Sequence, residues 1–120
     1  MSVRILFAED DDSIRPIVVR MLQEEGFEIE AVDDGTGAIE ALKKNVYDLI
    51  LLDIRMPTKT GLDVLEFMRA KKIRTRTIMA TALDDTATAI QTLKLGANDF
   101  ITKPYSIELL VSSINRVLEK

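Results

Sequence analysis

The chain has 120 residues, of which 47% are hydrophobic and 30% charged, which suits one domain with its own core and excludes a disordered chain. Its formal net charge of −4 gives no broad cationic surface for nucleic acid or an anionic membrane. Cys and His are both absent, which excludes disulfides, thiolate or imidazole metal sites and His-based catalysis. Any phosphoryl chemistry on this chain must therefore use carboxylates.

Short apolar runs alternate with longer stretches of helical periodicity along the chain. The predicted strands cover residues 4–8, 28–32, 48–52, 77–80 and 99–101. A helix is predicted after each strand, so the pattern predicts an α/β fold of the (βα)5 type, with a doubly wound parallel five-stranded sheet. No linker or low-complexity tract divides the chain, and we expect a single domain over residues 1–120.

Capping residues support these helix boundaries. Asp12 or Ser13 is predicted to cap the first helix, and Ser106 the fifth. Asp84 or Asp85 is expected to open the fourth helix, and the glycines at positions 26 and 96 to end the first and fourth. The N-terminus lacks the apolar segment of a signal peptide and no apolar run is long enough to span a bilayer, so a cytoplasmic location is expected.

Charged or hydroxyl side chains follow four of the five predicted strands. Glu9 and Asp10 come after the first strand, Asp53 after the third, Thr81 after the fourth and Lys103 after the fifth. Taken singly, each has an ordinary explanation as a helix cap, a turn residue, a satisfied hydroxyl or a surface amine. Ligands of open parallel sheets bind beyond the carboxyl ends of the strands, so the set together predicts one site there.

The acidic part of this set indicates a metal site. Two carboxylates about 4 Å apart repel by about 1 kcal/mol in water and several-fold more near a protein surface. If Glu9, Asp10 and Asp53 converge, either one of them stays protonated or a cation neutralises them. Oxygen ligands without His or Cys favour Mg²⁺, and no spacing resembles a Ca²⁺-binding EF-hand loop.

Four segments resemble the bacterial response-regulator receiver domain, and together they extend over almost the whole chain. Residues 5–15 (ILFAEDDDSIR) resemble its first strand and acidic pair, and residues 48–57 (DLILLDIRMP) its phosphoacceptor strand and Met-Pro turn. Residues 77–82 (TIMATA) resemble its switch-threonine segment, and residues 95–105 (LGANDFITKPY) its last strand with Lys-Pro. The resemblance implies a flavodoxin-like receiver with strand order 2-1-3-4-5.

The resemblance also implies a role for each site residue. Asp53 would be the phosphoacceptor, and Thr81 and Lys103 would bind the phosphoryl oxygens. Phe100 falls at the aromatic switch position. The implied Mg²⁺ ligands are Glu9, Asp10, Asp53 and the backbone carbonyl of Arg55.

The implied partners are an upstream phosphoryl donor and a downstream protein or domain that responds to phosphorylation. The donor would be a phosphohistidine on a sensor histidine kinase or a histidine phosphotransfer protein. Phosphorylation would change the surface of the fourth helix, fifth strand and fifth helix to regulate a downstream target or output domain. The domain would promote only its own phosphorylation and dephosphorylation, so it is not expected to be an enzyme acting on other substrates, and neither nucleic acid nor membrane is an expected partner.

The sequence departs from the usual receiver pattern at a few positions. Glu9 stands where Asp is commoner, which lengthens the arm of one metal ligand. Leu109 and Ser113 stand where winged-helix regulators have Glu and Arg, which argues against active-state dimerisation through the fourth and fifth helices. Three rivals remain: a receiver-like adaptor that is never phosphorylated, a flavodoxin-like cofactor binder, which the acidic loop after the first strand disfavours, and a Mg²⁺-dependent phosphatase, which would need a covering cap.

Overall fold

A computed structural model describes residues 2–119 as a parallel five-stranded sheet between two layers of helices. The strands are β1 Arg4–Ala8, β2 Glu28–Val32, β3 Leu49–Asp53, β4 Arg76–Thr81 and β5 Asp99–Thr102. The helices are α1 Arg15–Glu24, α2 Gly35–Lys44, α3 Gly61–Ala70, α4 Thr86–Lys94 and α5 Ile107–Leu118, with a 3₁₀ turn at Leu83–Asp85. The strand order is β2-β1-β3-β4-β5 and every pairing is parallel, which confirms the predicted fold.

Two apolar cores lie on opposite faces of the sheet. Alternate residues of β1 point to opposite sides, so Ile5 and Phe7 pack with α1 and α5, whereas Leu6 and Ala8 pack with α2, α3 and α4. β3 lies at the centre of the sheet and is buried at all of its positions. A strand covered on both faces needs apolar residues throughout, which explains the unbroken LILL run before Asp53.

The predicted cap of α1 is wrong, whereas Asp85 is confirmed as the residue that opens α4. Ile14 occupies the N-cap position of α1, and Asp11 Oδ1 accepts hydrogen bonds from the N–H of Ser13 (2.9 Å) and of Ile14 (3.3 Å). That bonding places the turn around Asp11 instead of around Asp12 or Ser13. Asp85 occupies the N-cap position of α4 without a side-chain capping bond, since its carboxylate pairs with Arg55.

The other predicted helix ends are confirmed. Ser106 Oγ accepts a hydrogen bond from the N–H of Leu109 (3.4 Å) at the start of α5. Gly26 and Gly96 follow α1 and α4 with φ of 96° and 106°, a left-handed conformation that favours glycine. No helix within residues 2–119 combines the length and the apolar character that crossing a membrane requires.

Gly61 brings the start of α3 against the end of β3. A Cβ atom at position 61 would lie 2.4 Å from the backbone oxygen of Asp53, so only glycine fits there without a shift of the backbone. The N–H of Gly61 donates to the carbonyl of Ile54 (2.8 Å), and Thr60 and Asp63 form a capping box at the first turn. This tight packing fixes the loop that carries Asp53 and Arg55.

Candidate functional site

An ion-paired cluster lies at the carboxyl edge of the sheet. Lys103 Nζ lies 3.0 Å from Asp53 Oδ2, 3.0 Å from Glu9 Oε1 and 3.1 Å from Glu9 Oε2. Glu9 is fully buried and Asp53 nearly so, whereas 23% of the Lys103 side chain is exposed. Since β1 and β3 are neighbours, their ends place the two carboxylates together, and the segment after β5 brings the ammonium group onto both.

Asp10 completes an acidic group that could hold a cation. One carboxylate oxygen from each of Glu9, Asp10 and Asp53 lies within 4.8 Å of the others. Asp10 is exposed, so the group opens to solvent on one side. Three carboxylates with no nitrogen or sulfur donor form a set that suits a hard divalent ion such as Mg²⁺, which keeps several of its waters.

Burial and neighbouring groups give the two buried carboxylates, Glu9 and Asp53, different proton affinities. Burial first, and then the neighbouring Glu9, raise the pKa of Asp53 to about 7, against the opposing effect of Lys103. Burial also acts to raise the pKa of Glu9, but hydrogen bonding with Asp53, Lys103 and Tyr105 outweighs it, and the pKa of Glu9 lies below its usual value. The proton shared by this pair therefore resides on Asp53 below neutral pH.

This raised pKa predicts a pH-dependent stability in buffer without Mg²⁺. Between pH 3.8 and about 7 the folded chain holds a proton on Asp53 that the unfolded chain releases. The free energy of unfolding should therefore fall as pH rises through this window, by up to about 4 kcal/mol. Urea unfolding at a series of pH values measures it, and Asp53→Asn should flatten the fall; parallel curves for both chains would contradict the assignment to Asp53.

Thr81 and Arg55 bond away from the acidic cluster. The Thr81 hydroxyl lies 3.1 Å from the carbonyl of Ala82 and 3.2 Å from that of Asp85, and it donates to one of them at a time. The Arg55 guanidinium pairs with Asp85 (3.1 Å) and lies 4.0 Å from Asp84, while its backbone N–H donates to Asp53 Oδ1 (3.3 Å). Both residues therefore connect the site to the loop before α4.

Phe100 lies on the edge strand β5, beside the strand that carries Thr81. It is half-buried and packs against the core beneath α2, α3 and α4. In the sheet it pairs with Met79, two residues before Thr81. This position is the one that the receiver resemblance predicts for the switch aromatic, and its movement stays a prediction.

Tyr105 is a member of the site to which no sequence pattern assigns a role. Its hydroxyl donates to Glu9 Oε1 at 2.8 Å, and its ring packs edge-on against Phe7 with ring centroids 6.1 Å apart. The available signal was Glu at position 9, whose side chain has one more rotatable bond than Asp and reaches farther for a bonding partner. Nothing in the order of residues, however, connects position 105 with position 9.

The family follows from this arrangement and from comparison with known proteins. The chain matches the response regulator receiver domain over residues 5–115, and it belongs to that family. The predicted class of function, a phosphorylation-activated switch of two-component response regulators, is confirmed, and neither the adaptor nor the cofactor binder is favoured. The family is regulatory rather than a group of catalytic enzymes.

Relatives of known sequence or structure agree with this family. The sensory transduction protein RegX3 of Mycolicibacterium smegmatis is 36% identical over 116 residues, which are 97% of this chain and 50% of that protein. The cell cycle transcriptional regulator CtrA of Caulobacter vibrioides is 33% identical over 118 residues, 98% of this chain and 51% of that protein. The chain thus spans about half the length of the curated relatives it matches.

Solved receiver structures superpose closely on this fold. The receiver domain of the Francisella response regulator 1452 is 33% identical, with 98% of each chain covered and a TM-score of 0.91. The chemotaxis response regulator CheY4 of Vibrio cholerae is 28% identical, with 98% of this chain and 99% of that chain covered and a TM-score of 0.88. These likenesses confirm the flavodoxin-like receiver topology.

Proposed function

We propose that Asp53 is the acceptor of a phosphoryl group delivered from a phosphohistidine. The observation that supports this most strongly is the Asp53 carboxylate, held 3.0 Å from Lys103 beside two further acids at the open edge of the sheet. A carboxylate oxygen attacks phosphorus, the phosphorus–nitrogen bond of the donor breaks, and the electron pair leaves with the imidazole. The product is an acyl phosphate on Asp53.

The metal ligands in this proposal are the carboxylates of Glu9, Asp10 and Asp53 and the backbone carbonyl of Arg55. The acidic donor set and its opening at Asp10 support a hydrated Mg²⁺ ion there. When bound, Mg²⁺ supplies positive charge beside the phosphoryl oxygens. The chain's own part is to orient the Asp53 carboxylate, which the loop fixed by Gly61 and the contact with Lys103 both do.

Lys103 and Thr81 bind the phosphoryl oxygens after transfer in this proposal. Lys103 Nζ exchanges its bond with Asp53 for one with a phosphoryl oxygen, so that its charge stays next to negative charge throughout. The Thr81 hydroxyl leaves the carbonyls of Ala82 and Asp85 and donates to a second oxygen. Equatorial charge on the transferred group is thereby neutralised by preorganised donors.

The movement of Thr81 would carry the signal to the surface. Since Thr81 bonds the loop before α4, its departure alters that loop, and Phe100 turns towards the space it leaves. The changed surface comprises α4, β5 and α5. Two conformations are required, and the phosphoryl group shifts their populations by its stronger interaction with one of them.

A two-component relay is the setting that we propose for residues 1–120 as one receiver unit. Its upstream partner would be a sensor histidine kinase or a histidine phosphotransfer protein. Its downstream partner would be an output domain or a separate target protein, since relatives such as CtrA, named a transcriptional regulator, extend to about twice the matched length. The receiver promotes its own phosphorylation and dephosphorylation and acts on no other substrate.

Exposure to a small phosphodonor tests this function directly. In the presence of Mg²⁺, intact-mass analysis should show the addition of one phosphoryl group to the wild-type chain, because the site itself supplies the positioning. In the presence of EDTA the same incubation should give no adduct. A chain that gains nothing with Mg²⁺ would instead support a receiver-like adaptor that works without phosphorylation.

A further inference from the structure

Three hydrogen-bond donors hold the carboxylate of Glu9, namely Lys103, the Tyr105 hydroxyl and the backbone N–H of Asp11. Oε1 accepts from the Tyr105 hydroxyl at 2.8 Å, and Oε2 accepts from the N–H of Asp11 at 3.2 Å. Lys103 Nζ donates to Oε2 at 3.1 Å and lies 3.0 Å from Oε1. An ionised carboxylate has about four acceptor positions, so one position of Glu9 remains for a cation or for its bound water.

Lys103 alone cannot fix the orientation of the Glu9 carboxylate, because its ammonium group is shared with Asp53. The same ammonium lies 3.0 Å from Asp53, and in the proposed function it turns to a phosphoryl oxygen. Glu has one more rotatable bond than Asp, and a long side chain left without fixed partners loses orientation. The donors that stay in place whatever Lys103 does are the Asp11 N–H and the Tyr105 hydroxyl.

Tyr105 is rigid enough to serve as such a donor. Its ring is half-buried and packs edge-on against Phe7 of β1, the strand that ends next to Glu9. The hydrogen bond is charge-assisted, which makes it shorter and stronger than a bond between neutral groups. The packing on β1 therefore fixes the Tyr105 hydroxyl, and the same strand places the Glu9 carboxylate.

We propose that Tyr105 is a positioning residue that sets the Mg²⁺ affinity of the acidic cluster by orienting the Glu9 carboxylate. The inference rests on the proposed metal site and goes beyond it in assigning a role to a side chain that touches neither ion nor phosphoryl group. It depends on Glu at position 9, because a shorter Asp side chain would withdraw its oxygens from the hydroxyl. Partners that orient metal ligands in this way typically contribute about 10- to 100-fold in affinity.

The test is a Mg²⁺ titration of Tyr105→Phe, followed by the amide resonances of residues beside the acidic cluster. The phenyl ring keeps the packing on Phe7, so only the hydrogen bond is lost. The dissociation constant for Mg²⁺ should rise about tenfold, the low end of the range for such partners, because Lys103 and the Asp11 N–H still hold Glu9. An unchanged dissociation constant in Tyr105→Phe would overturn the proposal.

Tyr47→Phe is a matched control elsewhere in the fold. The Tyr47 hydroxyl donates to Glu30 Oε1 at 2.7 Å, the same kind of bond, but neither residue belongs to the acidic cluster. Its loss should leave Mg²⁺ affinity unchanged even where urea unfolding shows a loss of stability. An equal loss of affinity in both variants would show a general structural effect and overturn the positioning role.

A Glu9→Asp background separates orientation of Glu9 from other effects of the hydroxyl. There, Tyr105→Phe should change the Mg²⁺ dissociation constant by less than about twofold, since the coupled partner is gone. A full tenfold effect in that background would overturn the proposal. A wild-type chain that binds no Mg²⁺ would reject the proposed metal site itself, a result distinct from a wild type that binds and a Tyr105→Phe variant that binds equally well.

Discussion

Replacing Asp53 with asparagine is expected to abolish phosphorylation of the chain. The neutral amide has no anionic oxygen to attack phosphorus, and the acyl phosphate has no carboxylate on which to form. The substitution keeps the size of the buried side chain, so the fold should remain intact. Intact mass after incubation with a small phosphodonor and Mg²⁺ should show no adduct on Asp53→Asn and one phosphoryl group on the wild type.

Asp33→Asn is the matched control for this experiment. Asp33 follows β2 directly and is exposed at the same edge of the sheet, but it lies outside the acidic cluster. This variant should be phosphorylated like the wild type. A phosphoryl group found on the Asp53→Asn chain would place the acceptor on another carboxylate, with Asp10, the exposed member of the cluster, as the next candidate.

Replacing Lys103 with methionine is expected to destabilise the fold by about 3 kcal/mol at pH 8 without Mg²⁺. Methionine keeps most of the side-chain volume, but Glu9 and Asp53 would then be two buried anions without their common cation. The value lies at the low end for a broken buried pair because 23% of the Lys103 side chain is exposed. Urea unfolding measures the loss, which should shrink at pH 5, where Asp53 holds a proton, and also in Mg²⁺.

Two further variants decide whether the loss comes from the buried acids. Lys43→Met removes an exposed pair with Glu40 at 3.4 Å and should cost less than about 0.5 kcal/mol. Asp53→Asn in the Lys103→Met background should recover part of the lost stability, because one of the two uncompensated charges is removed. Equal losses in Lys43→Met and Lys103→Met, or no recovery in the double variant, would contradict this electrostatic account.

The layered fold was predictable because it depends on patterns that are local in the chain. The run LILL before Asp53 predicts a strand covered on both faces, and β3 is buried throughout. The strand order 2-1-3-4-5 came from the family resemblance, and the observed pairing confirms it. Once the sheet is parallel, the residues that follow its strands share one edge, and the neighbouring strands β1 and β3 bring Glu9 and Asp53 together there. Lys103 follows the edge strand β5, and its long side chain reaches both carboxylates.

The side-chain capping bonds expected at the starts of α1 and α4 are absent, because other groups compete for the same hydrogen-bonding partners. Asp12 and Ser13 are both good N-cap residues, yet the Asp11 carboxylate takes the N–H groups of Ser13 and Ile14. Asp85 is likewise suited to capping α4, but its carboxylate instead pairs with Arg55, 30 positions away along the chain. Propensity ranks the candidates, and the geometry of the folded neighbours selects among them.

The sequence by itself determined the alternating elements, the edge that carries the polar residues and the family to which the chain belongs. Only the tertiary structure decided how the carboxylates at that edge differ. Glu9 meets the hydroxyl of Tyr105, which lies 96 positions away in the chain, while Asp53 has fewer donors and a pKa raised to about 7. Burial, distance and the number of donors set these differences, and all three arise only when separate strands are packed side by side.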